Sequence, residues 1–347
     1  MTSESYEIIL FYKYVHITDP EAVAEGEKER CLRLGFKGRC IVASEGINTT
    51  YEGTKENITE YIKELEKDER FLNIHFKKSV GTGHAFPKLS IKVRKEIVSL
   101  NLGVCDIDPN QITGIHLKPE ELHEWLNPKG SPDHFSNDLG IKEKKAAFAQ
   151  GFGEPREFYI VDMRNTYEHK VGHFENSILF PIENFRDLPK VVEQIAHLKN
   201  KTVLTVCTGG VRCEKASGFL ITRDFTDVYQ LDGGIVSYME KYPNEDFAGK
   251  LYVFDGRVTM DATNFYSDDL NHPTSLKLRR ASKIVGKCDA CGEKSENYVN
   301  CANPVCHRHF INCLNCLGKT DGKAFCPGGC VLSRHGRKIN PVQVNLV

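Results

Sequence analysis

The sequence predicts a multi-domain α/β protein in three parts, and three observations predict it. Over the first hundred residues, strand-like alternation and helix-like periodicity follow in the order strand, helix, strand, strand, helix, strand. From Glu157 onward short apolar strands alternate with helices, the pattern of a parallel sheet covered on both faces. Eight of the 13 cysteines then fall between Cys288 and Cys330. At roughly 150 residues per domain, a chain of 347 residues has room for such a division.

In order along the chain, YEIILFYKYV alternates as a strand. Asp19-Pro20-Glu21 supplies a helix start with proline in the first turn, and the helix runs to Leu34 and stops at Gly35. A strand pair follows around GRCIVASEGINTTYEG. TKENITEYIKELEKD puts Ile58, Ile62 and Leu65 on one helical face, and LNIHFKKSV alternates again. This is the ferredoxin-like (acylphosphatase-like) α+β order, assigned to residues 1–97. Residues 98–150 read as a connector with a short helix at KPEELHEWL and a polar, proline-containing stretch from Asn127 to Gly140. Residues 151–247 form the parallel-sheet domain, with strands at FYIVDM, SILF, TVLTV and VYQL and helices at LPKVVEQIAHL, CEKASGFLI and GIVSYMEKY. Residues 248–347 carry the cysteine-rich region 288–330, and the tail after Leu332 has no assigned structure.

Forty per cent hydrophobic and 27% charged residues describe a soluble globular chain. No apolar run reaches the ~18 to 20 residues of a membrane span, and the N-terminus has no secretory signal, so the expected location is the cytoplasm and no membrane partner is expected. A formal net charge of -1 gives no global pull toward nucleic acid, so a polyanion would have to be held by a local patch.

The chemistry concentrates at VLTVCTGGVRCEKASG. Cys207 ends an apolar strand, Thr208, Gly209, Gly210 and Val211 lead to Arg212, and a helix begins near Cys213. The glycines let the loop turn its N–H groups inward, and the helix points its positive end at the same spot. A thiolate there is stabilised below the free value of about 8.5. Arg212 adds a fixed charge that can pair with an anionic sulfur or clamp a substrate oxygen. Four residues separate Cys207 from Arg212, a ring tighter than the Cys-x5-Arg loops of phosphate-cleaving enzymes, which favours a terminal sulfur over a phosphate. A buried structural cysteine before a Gly-Gly turn is the bland alternative.

VDMRNTYEHKVGHFENSILFP, CTGGVRCEKA and LDGGIVSY together resemble a rhodanese domain, in which the loop cysteine carries a persulfide. Asp162, Arg164, Glu168, Gly172-His173 and Gly233-Gly234 match positions that shape the site in that family. Cys213 stands where many rhodaneses have serine, and it is either a resolving thiol or a packing residue. ASEGINTTYEG, FPKLSIKVRKEIVSL, VFDGRV and the cysteine-rich end extend the resemblance over nearly the whole chain, to the rhodanese-related oxygen-dependent tRNA uridine hydroxylases. That resemblance implies 5-hydroxyuridine at wobble position 34, O2 as co-substrate, tRNA as partner and an essential loop cysteine. No dinucleotide-binding glycine fingerprint precedes a helix, and no organic cofactor is expected. The site expectation is therefore Cys207 as reactive thiolate, Arg212 as charge partner, Thr208 to Val211 as cradle and Cys213 as auxiliary thiol. A sulfurtransferase using the same loop, a phosphatase and a non-enzymatic zinc adaptor are the alternatives.

The terminal spacing is Cys288-x2-Cys291, Cys301-x4-Cys306, Cys313-x2-Cys316 and Cys326-x3-Cys330. Eight thiolates suffice for two tetrahedral, structural zinc sites of four sulfurs each. Adjacent or alternating pairs can join, and the alternating, cross-braced arrangement is preferred. His307 and His309 are possible substitutes for a cysteine, and disulfides or an iron–sulfur cluster are alternatives. Lys277, Arg279, Arg280 and Lys283 before the cluster and Arg334, Arg337 and Lys338 after it could meet tRNA phosphates. The SEGINTTYEG segment and Lys77, Lys78, Lys88, Lys92, Arg94 and Lys95 are further candidates, with Lys92 and Arg94 on one strand face. A solvated surface is the simpler reading of these charges.

Overall fold

A computed structural model describes residues 5–103, 106–127, 147–149, 156–265, 283–306, 308–320, 322–327 and 330. His307, Lys277, Arg279, Arg280, Arg334, Arg337, Lys338, residues 128–140 of the polar connector and the tail after Leu332 lie outside them.

The N-terminal unit runs β1 (Tyr6–Tyr14), α1 (Pro20–Arg33), β2 (Lys37–Ala43), β3 (Gly46–Thr54), α2 (Lys55–Leu65) and β4 (Lys77–Val80), followed by β5 (Leu89–Val93). The sheet order is β4-β1-β3-β2-β5, with β5 parallel to β2 and the other pairs antiparallel. The Asp19 carboxylate accepts from the Ala22 N–H at 3.0 Å, Pro20 opens α1, and Gly35 at φ +67° ends it, as the local signals dictate. Ile58 and Leu65 of α2 bury against Phe11, Ile47 and Tyr51 of the sheet in one core. The expected strand pair is β2 and β3, and most of the SEGINTTYEG segment offered as a tRNA contact is the central strand β3, so its backbone groups are engaged in the sheet.

Two elements of the connector belong to the next sheet: β6 (Ile115–Leu117) pairs parallel to a central-domain strand, and α3 (Pro119–Leu126) follows it. The central domain then runs β7 (Ala147–Ala149), β8 (Arg156–Asp162), α4 (Thr166–His169), β9 (Gly172–Phe174), β10 (Ile178–Leu179), α5 (Leu188–Val191), β11 (Thr202–Val206), α6 (Val211–Ile221), β12 (Asp227–Leu231) and α7 (Gly234–Lys241). The sheet order is β10-β8-β11-β12-β6, all parallel, with β7 antiparallel on β8. Helix expected over 188–198 is one α turn followed by a 3-10 stretch, and the change falls at the β-branched pair Val191-Val192. Two apolar clusters, one centred on Val203 and Phe219 and the other on Leu204 and Tyr238, cover opposite sheet faces. Strand β11 is buried along its whole length, so the residue after it sits at the middle of the sheet's carboxyl edge.

Beyond the central domain come β13 (Phe247–Gly249), paired with β9, and the β14 (Leu251–Tyr252) and β15 (Thr259–Met260) hairpin. The cysteine region contributes β16 (Tyr298–Asn300), β17 (His309–Ile311) and α8 (Leu314–Gly318). Among the described residues no helix is long and apolar enough to cross a membrane.

Candidate active site and metal centres

Cys207 is fully buried at the end of β11, and α6 starts at Val211, so Arg212 and Cys213 both lie in the helix's first turn. The Gly210 N–H donates to Cys207 Sγ at 3.2 Å. Gly210 holds φ +101°, and a Cβ there would meet the Tyr12 hydroxyl at 2.8 Å. The N–H groups of Ile235 and Val236, at the start of α7, donate to the Cys207 and Thr208 carbonyls at 2.9 and 3.0 Å. Gly234 permits this approach: at φ +70°, a Cβ on it would stand 2.6 Å from the Gly210 nitrogen. Burial pushes the Cys207 thiol up, but the hydrogen bond with the Cys213 thiol, the Arg212 charge and the N–H groups of Cys213 and Gly210 outweigh it and bring it down to about 6. Cys213 moves the opposite way, well above the ordinary thiol range, because it is buried and faces the Cys207 thiolate. One thiol of the pair is therefore the anion and the other its donor.

Arg212 is tied down more completely than an open clamp would be. Its two terminal nitrogens reach the Glu168 carboxylate at 2.5 and 2.7 Å, and one of them also reaches Thr208 Oγ1 at 3.2 Å. Glu168 also accepts from Thr208 Oγ1 at 3.2 Å and from the Asn165 N–H at 2.9 Å. The arginine thus fixes the loop to α4 and tilts the field at Cys207, while its fork is taken by Glu168. Arg164 has a similar post: fully buried, it pairs with Asp162 at 2.6 Å and donates to the Gly172 carbonyl at 2.7 Å.

The N-terminal sheet completes the site. A Cβ on Gly209 would stand 2.5 Å from Leu10 Cδ2. Tyr12 donates to Glu214 at 2.9 Å, and Tyr14 donates to the Val211 carbonyl at 3.2 Å. Glu214 also engages His116 Nε2 at 3.0 Å, Thr113 Oγ1 at 3.0 Å and Gln230 Nε2 at 2.9 Å. Lys77 is only 3% exposed, its ammonium 4.9 Å from the Tyr12 ring centroid. Burial pulls that ammonium down to about 8, against the attraction of Asp232, Cys207 and Glu214. Lys77 is therefore not a solvent-facing phosphate contact, whereas Lys78, Lys88, Lys92, Arg94 and Lys95 are exposed as expected. Leu10, Lys77, Thr208, Val236, Phe254 and Arg257 line one cavity at the junction of three parts of the chain.

Behind the loop, Lys215 joins the parts by charge. Its fully buried ammonium reaches Glu45 at 2.8 Å, Glu96 at 2.9 Å and Asp106 at 2.8 Å. The spacing of residues in the sequence identifies Cys207, Arg212 and Cys213 but not Tyr12, Lys77 or Glu214. A lysine in an alternating strand carries the same local pattern whether its face meets water or another domain.

The terminal cysteines gather as two sets of four: Cys288, Cys291, Cys313 and Cys316, and Cys301, Cys306, Cys326 and Cys330. Within each set the sulfurs lie within 4.8 Å of one another, and alternating pairs have joined. The closest recorded approaches are Cys291 to Cys313 at 3.6 Å and Cys306 to Cys326 at 3.5 Å. Each set can hold a metal ion. His309 instead shares a 2.9 Å hydrogen bond with the Tyr252 hydroxyl. Lys170 bonds Asp289 at 2.8 Å, which seats the cysteine region on the central domain, and Lys250 bonds Glu296 at 2.5 Å within the C-terminal segment.

Comparison with known proteins bears on this assembly. The UPF0176 acylphosphatase like domain matches residues 6–97, the Rhodanese-like domain residues 144–241, and the Rhodanase C-terminal family residues 248–331. A tRNA uridine(34) hydroxylase of Cytophaga hutchinsonii is 40% identical over 92% of this chain and 88% of its own. The chain belongs to the tRNA uridine(34) hydroxylase family. A second member, from Bacillus licheniformis, is 39% identical over 88% of this chain and 83% of its own. In this family member the acylphosphatase-like unit, the rhodanese-like unit and residues 253–260 of the C-terminal segment meet at one cavity beside the loop that follows the buried Cys207.

Proposed function

We propose that this protein hydroxylates uridine 34 of tRNA at C5, consuming O2, with Cys207 as the reactive thiolate. The observation that carries the reading is a buried cysteine brought down to about 6 at the carboxyl edge of the sheet, in a chain whose relatives bear that activity in their names. We assign the loop from Thr208 to Val211 as the cradle of the anion, with the Gly210 N–H reaching the sulfur at 3.2 Å, and Arg212, held by Glu168, as the charge that favours the thiolate. Cys213 holds the auxiliary thiol. A sulfurtransferase reading rests on the loop alone and is not favoured by the relatives, and the engagement of Arg212 by Glu168 speaks further against a phosphatase.

We assign one Zn2+ to each cysteine set. Tetrahedral zinc with Zn–S bonds of about 2.3 Å needs sulfurs about 3.8 Å apart, which the approaches of 3.5 and 3.6 Å fit. The ions would be structural, since each set supplies four sulfurs and leaves no open position. The functional division we propose is 1–97 as the cover over the loop, 98–150 as the connector, 151–247 as the thiolate domain and 248–347 as the zinc-braced flank, in a cytoplasmic enzyme whose partner is tRNA.

The test is mass analysis of nucleosides from tRNA lacking the modification, incubated with the purified chain in air and under nitrogen. The expected result is 5-hydroxyuridine in air only, lost in Cys207→Ser. Sulfur transfer from thiosulfate to cyanide without any oxygen-dependent nucleoside would replace this reading by the sulfurtransferase one.

A further inference from the structure

The motif VFDGRV, Val253 to Val258, is part of the family resemblance, yet the cysteine loop does not account for it. It forms the tight turn between β14 and β15, closed by the Val253 N–H donating to the Val258 carbonyl at 2.9 Å. Val258 holds φ +63°, a left-handed conformation that a β-branched residue adopts only where the surroundings enforce it. The enforcement comes from the N-terminal unit. Arg257 pairs with Asp255 at 2.7 Å and donates to Ser79 Oγ at 2.9 Å and the Val80 carbonyl at 3.1 Å. The Gly256 N–H donates to the Ala85 carbonyl at 2.7 Å.

What this anchored, strained turn presents is Phe254. Among the described side chains it is the one phenylalanine, tyrosine or tryptophan that is exposed, at 45%. It is not a loose surface residue: Tyr252 meets it edge-on at 5.4 Å between centroids, and the Arg212 guanidinium carbon lies 5.9 Å from its ring centre. It stands at the cavity that also contains Lys77, Arg257 and Thr208 of the cysteine loop. A rigid, exposed ring beside cations and a reactive group has the makeup of a single-stranded nucleic-acid site, where a base stacks on an aromatic face and cations meet the backbone.

We propose that Phe254 is the platform on which the target uridine stacks when it turns out of the anticodon loop to reach Cys207, with Lys77 facing the polar edge of the pyrimidine. This rests on the uridine 34 reading above. It assigns the VFDGRV turn to substrate placement.

The experiment measures equilibrium binding of an anticodon stem-loop with uridine at position 34 and of the same stem-loop abasic at that position. The full chain carries Cys207→Ser so that no turnover occurs. Stacking on an aromatic side chain predicts that the uridine form binds about tenfold tighter than the abasic form. Phe254→Ala should erase that ratio while leaving abasic binding in place, Phe254→Tyr should keep it, and Phe254→Leu, which retains apolar bulk, should lose most of it. A ratio undiminished in both Phe254→Ala and Phe254→Leu overturns the stacking platform and leaves the substrate reading standing. No ratio in the Cys207→Ser parent overturns both. Unaltered abasic binding also certifies that the variants are folded.

Discussion

Cys207 and Lys77 place an acid and a base of opposite charge in one buried site, and their positions set the response to pH. The thiol is held near 6 and, in the role proposed for it, acts when ionised; the ammonium is held near 8 and keeps its charge beside the thiolate only while protonated. Activity should therefore rise as pH increases through about 6 and fall as it passes about 8, a bell read from initial rates of nucleoside formation. Lys77→Met removes a cation facing Cys207, so it should move the acidic limb upward and abolish the alkaline one. Lys77→Arg, which stays protonated, should remove only the alkaline limb. An alkaline limb unchanged in both variants would show that another group titrates there. Glu168 has a different duty, as the sole carboxylate recorded on the Arg212 fork among the described residues. Glu168→Ala leaves a buried guanidinium unpaired, and urea unfolding should show a loss of roughly 3–5 kcal/mol.

At the scale of elements, the loop after β11 is shaped from both sides: by the start of α7 beneath it and by β1 above it. Gly234→Ala introduces a Cβ 2.6 Å from the Gly210 nitrogen at a left-handed φ, so the cradle must shift to accept it. The expected result is loss of most of the activity with a rise in the Cys207 titration midpoint, read from thiolate absorbance against Cys207→Ser. The helix carrying Arg212 and Cys213 also carries Lys215, whose three carboxylates come from Glu45 in the β2–β3 turn, Glu96 at the end of the N-terminal unit and Asp106 in the connector. Burial lowers the lysine's affinity for its proton, but the three carboxylates outweigh it and hold the group above the usual lysine range. The ion cluster therefore contributes its full stability at neutral pH and loses it only as pH rises past that range. Lys215→Met should cost roughly 3–5 kcal/mol in urea unfolding at pH 7, because three carboxylates then crowd together without a cation.

For the whole molecule, the cysteine region is expected to fold around metal. About two zinc ions per chain should be found by elemental analysis, without iron–sulfur absorbance, and a strong chelator should release them with loss of the β16–β17 hairpin seen by hydrogen exchange. Features governed by contacts within a few residues are legible along the chain. Asp19, Pro20 and Gly35 delimit α1 because capping and backbone freedom act within a few residues. Cys207, the glycines and Arg212 mark a thiolate loop because strand, turn and helix terminus are contiguous, and four short cysteine pairs mark two four-sulfur sets for the same reason. Tertiary structure alone decided that the connector's β6 closes the central sheet, that alternating cysteine pairs meet, and that the N-terminal unit supplies Leu10, Tyr12 and Lys77 to the site. It also decided that Arg212 faces Glu168 rather than open solvent. The physical reason is that burial and pairing of charge depend on which surfaces come together. Residues as far apart as Tyr12 and Glu214 carry no trace of that contact in their local sequence.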